Sequence, residues 1–406
     1  MRNLKIHPLV LALIISTLIF SIHPTFSSLI SQVVIKSTGQ ISGNEVIARS
    51  GSPDDIQAAV DTVSAAGGGT VYVPEGTFDY DDSSFSQQDL WGIYYAVIIP
   101  GGVNIIGQGS TQTILNQKVS TTKHKAFFLV DGQNGKPVRI SGIKFDGKVS
   151  DEENHQNIAI QLYRAKDFRV DHCAFEDFCE FSISSDKASG YVTRGVIDHN
   201  SFDNPYKEQT GSWDWAYGIG VFGDNSWMSL DDLLGKYVDN VVYIEDNTFA
   251  RCRYAVAGNN GGFYVFRHNY VTVSKPYDSW GKAGVDCHAG GDNYPGARGL
   301  EAYNNEIVRG GGSNDQAFKM RAGGGTIFNN TIRNVETGVW LIKEDLPDEE
   351  QHYVKNLYIW SNTYDNVATQ LDKDSFYEEN THYFLYAMPD YTPYSYPHIL
   401  TLEAAP

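Results

Sequence analysis

Cysteine is scarce in this chain. Cys173, Cys179, Cys252 and Cys287 are the only four in 406 residues, and no C-x-x-C pair occurs. That argues against a zinc knuckle and leaves open whether the four pair or stay reduced. Basic residues are short as well: 31 Lys and Arg stand against 49 Asp and Glu, a net charge of −18. A nucleic-acid partner needs a basic stripe, so this balance argues against one. The same surplus repels an acidic polymer, so a site for one has to be locally basic or helped by a cation. No G-x-S-x-G element and no phosphate-binding glycine pattern is present, which leaves serine-hydrolase and nucleotide chemistry without support. Beyond the N terminus, no apolar run approaches the length of a membrane span.

The N terminus does carry such a run. Arg2 and Lys5 precede an apolar stretch over 9–20, and the small residues Ser27 and Ser28 follow. This is the order of a secretory signal peptide over 1–28, and it predicts a secreted, extracellular or cell-surface protein with no membrane span in the mature chain. An uncleaved anchor is the alternative.

At 51–76 the sequence predicts an end cap. Ser52-Pro53-Asp54-Asp55 supplies a helix start, Ile56, Ala59, Val60 and Val63 fall at helical spacing, and Gly67-Gly68-Gly69 ends the run. Thr70-Val71-Tyr72-Val73 then reads as a strand. The body repeats one pattern: alternating apolar residues, Asn, one residue, then an apolar residue. The copies centre on Asn200, Asn247, Asn269, Asn305, Asn330 and Asn362, with Ile143 and Cys173 at the same place in two earlier copies. The shorter separations suit one coil of a solenoid, and the longer ones a coil with a loop insertion. Asn suits a bend between short strands because it tolerates left-handed backbone, and stacked Asn side chains can satisfy one another. The expected fold is all-β: a single-stranded right-handed parallel β-helix over 29–365, with an N-terminal capping helix, a Trp-rich insertion at 203–240 and a Tyr- and Pro-rich C-terminal cap over 366–406.

The segment 56–76, with Gly67-Gly68-Gly69-Thr70-Val71-Tyr72-Val73-Pro74-Glu75-Gly76, resembles the opening cap of pectate-lyase-like proteins, and the Asn repeat resembles the same superfamily. The segments 243–249, 264–269, 302–305 and 327–332, and the tail Tyr394-Ser395-Tyr396-Pro397-His398, resemble a group of right-handed β-helix proteins without an agreed function. The resemblance implies the fold and says less about activity. Signature elements of polygalacturonases and of calcium-dependent pectate lyases are missing. Asp171-His172 and Asp198-His199 resemble an Asp-His element of those lyases, but they sit at the repeat's own turn and read as structural.

Aligning the strand that follows each turn points to a candidate site. Val285-Asp286-Cys287-His288 stacks beneath Phe318-Lys319-Met320-Arg321, and that beneath Val339-Trp340-Leu341-Ile342. Strand alternation then turns Asp286, His288, Lys319, Arg321 and Trp340 outward on adjacent coils. An acid, a histidine, two cations and an aromatic suit an acidic polysaccharide. A uronate lyase or epimerase needs a base for a weakly acidic proton and a cation beside the carboxylate. Lys319 or His288 is the expected base. Arg321 and Arg298 are the expected carboxylate clamps. Trp340, Trp280 and Trp213 are expected to stack on sugar rings. Asp286 is expected to orient His288 or to bind calcium, the one cofactor the sequence leaves open. A solvated surface patch is the bland alternative for each residue. A non-catalytic glycan-binding or adhesion protein is the alternative for the whole, and the oligomeric state is open.

Overall fold

The computed structural model of the chain describes residues 44–88, 92–118, 124–147, 157–186, 191, 193–204, 215–223, 241–272, 282–310 and 315–402. The expected signal peptide, Trp213, Trp280 and most of the insertion at 203–240 lie outside the described residues.

The cap forms as its punctuation predicts. The helix Pro53–Ala65 starts at Ser52, whose side chain accepts from the Asp55 amide, and Asp54 and Asp55 face the positive end of the helix dipole. Ile56, Ala59, Val60 and Val63 are its buried face. They close the first coil, whose apolar layer would otherwise meet water.

From there the chain winds through three parallel sheets: the first runs from Tyr94–Pro100 to Asp315–Met320, the second from Glu45–Ile47 to Tyr383–Phe384 and the third from Gly76–Tyr80 to Glu306–Val308, and the long strand Thr331–Leu341 joins the first and third. In the first sheet, Val97, Phe128, Ile160, Ile183, Ile219, Val256, Val285, Phe318 and Val339 align one above another. All nine point inward and are fully buried. In the third sheet, Phe145, Phe175, Phe202 and Phe249 stack with ring centroids 5.4, 4.9 and 4.6 Å apart and nearly parallel planes. That spacing is the strand-to-strand distance of a sheet, about 4.8 Å, so identical side chains at one repeat position pack by translation alone. All four cysteines are free and buried.

The Asn repeat is a hydrogen-bonded ladder. The Asn247 side-chain oxygen accepts from the Asn200 amide at 2.9 Å, Asn269 from Asn247 at 3.0 Å, Asn305 from Asn269 at 2.9 Å, Asn330 from Asn305 at 3.1 Å and Asn362 from Asn330 at 3.0 Å. Each Asn of the buried run also donates to strand carbonyls, as Asn269 does to Ile244 and Arg267. One detail differs from the sequence expectation. The left-handed residue is the one before each ladder position: His172 before Cys173, and His199, Asp246, His268, Asn304, Asn329 and Ser361 before the six Asn, all with φ between 52° and 57°. The preceding residue makes the bend, and the Asn is left free to bond the next coil. Asp171 and Asp198 sit at these turns and are tied into the second sheet, where Arg139 and Arg169 grip them bidentately.

The C-terminal segment first covers the last coil, where the buried Tyr377 hydroxyl donates to the Ile342 carbonyl. It then turns back and runs along the outer face of the second sheet as a strap. Tyr391 donates to Glu301 at 2.5 Å. The Tyr394 carbonyl accepts from Arg267, Tyr396 stacks on His268 at 3.7 Å, the His398 amide donates to Glu245, and the Leu400 carbonyl accepts from Arg169. Beneath it lies the Arg267–Glu245 ion pair, with both side chains fully buried.

Candidate functional site

Backbone register builds the site. The strand Lys282–Cys287 stacks on Asp315–Met320, and that on Thr331–Leu341. Val285, Phe318 and Val339 align, as do Asp286, Lys319 and Trp340, and Cys287, Met320 and Leu341. The first and third sets are fully buried in the core. Alternation therefore turns Asp286, Lys319 and Trp340 onto the outer face, and His288 and Arg321 follow on the same side.

These outward residues are not a solvated patch. Asp286 has no exposed surface, and Lys319 and Arg321 retain 7% and 8%. Burying charges at this level is tolerable only with partners. Asp286 has two: Arg321 Nε and Nη2 donate to its oxygens at 3.1 and 2.6 Å. Burial would raise the Asp286 carboxyl, but the adjoining Arg321 charge overrides it and holds the group below the usual carboxylate range. Arg321 Nη1 donates to Glu344 at 2.9 Å. All three guanidinium nitrogens are therefore engaged, so Arg321 is not the open carboxylate clamp that its residue type suggests.

Lys319 is the opposite case. Its Nζ lies 5.5 Å from the centre of the Trp340 ring and has no hydrogen-bond or ion-pair partner among the described residues. Burial, followed by the nearby Arg321 charge, lowers its pKa. His288 is also without a side-chain partner: its Nδ1 is buried and bonded to nothing. Burial and Arg321 push its pKa down to about 4, so the ring is neutral at pH 7. Two nitrogen bases thus stand beside a locked Asp–Arg pair.

Arg298 is buried at the corner leading into the second-sheet strand Gly299–Tyr303, its amide bonded to Gly262 and its carbonyl accepting from Gly324. Its backbone belongs to that corner, beyond the strand that carries Asp286. Trp213 and Trp280 fall outside the described residues.

Several neighbours were not singled out from sequence. Tyr217 and Tyr254 pack with ring centroids 4.8 Å apart and planes tilted by 55° on the two coils before Asp286, and Asp286 and Arg321 act electrostatically on Tyr217. The Arg253 guanidinium lies 5.4 Å from the Tyr254 ring. Extending the strand alignment two coils back finds the tyrosines, because Phe181, Tyr217 and Tyr254 share one register position. Glu344 had no such signal: it lies in the loop after Leu341, beyond the repeat.

A calcium site fits these residues poorly. Both Asp286 oxygens are taken by Arg321, and among the described residues no three metal-ligating side chains come together.

The whole architecture matches known solved proteins. The A-module of the mannuronan C-5 epimerase AlgE6 from Azotobacter vinelandii superimposes with a TM-score of 0.51 at 15% identity, covering 82% of this chain and 92% of that one. An alginate lyase from Paenibacillus sp. str. FPU-7 gives 0.52 at 15% identity, covering 84% and 99%. The fold is a right-handed parallel β-helix. At this identity the likeness establishes fold alone. No protein-family model matches the chain, and no curated protein matches it by sequence.

Proposed function

We propose that this chain is an exported β-helix protein that acts on an acidic polysaccharide by lyase- or epimerase-type chemistry. The observation that carries the reading is two nitrogen bases without a hydrogen-bond partner among the described residues, the buried Lys319 and the half-buried His288 with its buried Nδ1, beside the Asp286–Arg321 pair on one outer face. Lyase and epimerase chemistry on a uronate share one first step, removal of the proton on the carbon next to the sugar carboxylate. Lys319 in its free-amine form takes that proton, and burial, by lowering its pKa, favours that form. His288 is the second base within the cluster. The electron pair left on carbon either forms a double bond and expels the glycosidic oxygen, which takes the proton from the Lys319 ammonium and leaves as a hydroxyl, or takes a proton from a solvent water on the opposite face while the Lys319 ammonium returns its own to solvent. Arg321 Nη1, now given to Glu344, is the position a sugar carboxylate takes by displacing that side chain. Trp340 offers its half-buried ring to the sugar, and Asp286 acts as the positioning residue that orients Arg321.

The test is absorbance near 235 nm while the protein is offered alginate, polygalacturonate and other uronates, with proton exchange at the same carbon followed in parallel. A rise, or exchange without a rise, supports lyase or epimerase action, and Lys319→Ala must abolish it. Absence of both across the panel, with glycan binding retained, would favour the non-catalytic adhesion reading.

A further inference from the structure

The outer face of the first sheet is asymmetric about Lys319. Toward the N-terminal coils it is aromatic. Trp215 and Phe222 are half-buried, each packed edge-on against Phe181, at 5.2 and 5.5 Å, and Trp215 lies along Tyr217 at 5.8 Å. Phe222 shares its register position with Asn259. Three strand steps separate the Phe222 coil from that of Lys319, about 14 Å, which is room for a few sugar units. Two carboxylates among the described residues of this side are engaged: Asp131 is held bidentately by Arg164, and Asp186 accepts from Gln161 and Ser184.

Toward the C-terminal end the same face turns acidic. Asp372 follows Trp340 in register and is exposed. The loop after Leu341 adds Glu344, Asp345, Asp348 and Glu349, of which the last three are exposed. This loop is anchored in place: Lys343 Nζ donates to the Glu344 and Leu346 carbonyls, and the Gly296 amide donates to Gln351. Lys343 meets Asp348 at 3.2 Å, too little cation to offset the group. A polyanion is drawn over an aromatic, charge-balanced surface and repelled, within a Debye length, where carboxylates outnumber cations.

We propose that an acidic sugar chain occupies this groove one-sidedly. It extends from Lys319 over Phe222 and Trp215, and the carboxylate wall beyond Trp340 stops it. The reacting sugar is then at or near one chain end, and the products released on the walled side are short. The inference rests on the reading of the site as an acidic-polysaccharide site and adds the direction and register of the chain.

The test uses the full chain and alginate and polygalacturonate oligosaccharides of graded length, with a bulky fluorophore on one end or the other. Wild type is expected to release short products from one end only. In Asp345→Asn/Asp348→Asn the products should lengthen, with internal cuts several-fold more frequent. Phe222→Ala should weaken binding of long oligosaccharides several-fold and leave the shortest unaffected, with Tm checking that the fold is retained. If the sugars bind without turnover, a label on one end should weaken binding and a label on the other should not. Random internal cutting by wild type, equal tolerance of both labels, or a product profile unmoved in the neutralised variant overturns the one-sided geometry while the site reading stands. Failure of every oligosaccharide to bind overturns the site reading, and this inference with it.

Discussion

At the scale of single residues, the clearest chemistry is the difference between Lys319 and Arg321. They are two positions apart on one strand and face the same way, yet Arg321 is fully bonded and Lys319 is not. Lys319→Ala is expected to lower turnover at least about 100-fold, the usual scale for losing a general base, with sugar binding little changed. Lys319→Arg should be no better, because a guanidinium does not give up its proton. A kcat/KM profile in wild type should show its basic group titrating below the ordinary lysine value. Glu301 offers a separate check under the strap. Burial, despite the Tyr391 hydrogen bond, raises its pKa to about 7 from 4.5. Between those values the native state holds a proton that the unfolded chain has lost, so stability falls as pH rises through this window. Glu301→Gln should leave Tm near pH 4.5 almost unchanged and raise stability at pH 8 by about 3 kcal/mol, read from denaturant melts. A flat difference across pH would contradict the assigned shift.

At the scale of elements, the Asn ladder and the strap hold the coils together from opposite kinds of position. The ladder is internal. Asn269→Leu would leave the Asn247 amide and two strand carbonyls without partners in a buried turn. Unsatisfied groups of this kind cost about 1–3 kcal/mol each, so the variant should lose several kcal/mol in urea unfolding while Gln112→Ala, at an exposed position, stays near zero. The strap is external and covers charge. Removing residues 387–406 strips the lid from Arg267, Glu245 and Glu301, and takes away the carbonyl, amide and hydroxyl that satisfy them in turn. The shortened chain should show a large fall in Tm and loss of amide protection in strands Val242–Glu245 and Phe263–Arg267, while the helix Pro53–Ala65 keeps its protection.

At the scale of the whole molecule, the net charge of −18 acts against the ligand that the site is proposed to take. Long-range repulsion is strongest when the Debye length is about 30 Å, at ~0.01 M salt, and weakens when it shortens to about 10 Å at ~0.1 M. Association with a polyuronate should therefore speed up over that range, measured by stopped-flow fluorescence. Slower association with added salt would mean that the local cations dominate the approach.

The repeat, the cap and the inward–outward alternation were legible in the sequence because each depends on local period and on translation from coil to coil. Ile56, Ala59, Val60 and Val63 had to cover one layer, and Asp286, Lys319 and Trp340 had to align once the turns were in phase. What the outward residues meet was not legible. The engagement of Arg321 by Glu344, the burial of Lys319 and the strap across the second sheet join residues from different coils or from beyond the repeat, and no period encodes them. Sequence by itself determined a parallel solenoid and the face on which its polar cluster lies, since both follow from alternation. Only the tertiary structure decided which of those polar groups are spent on each other and which remain free to act, because that depends on desolvation and on hydrogen-bond partners supplied from distant parts of the chain.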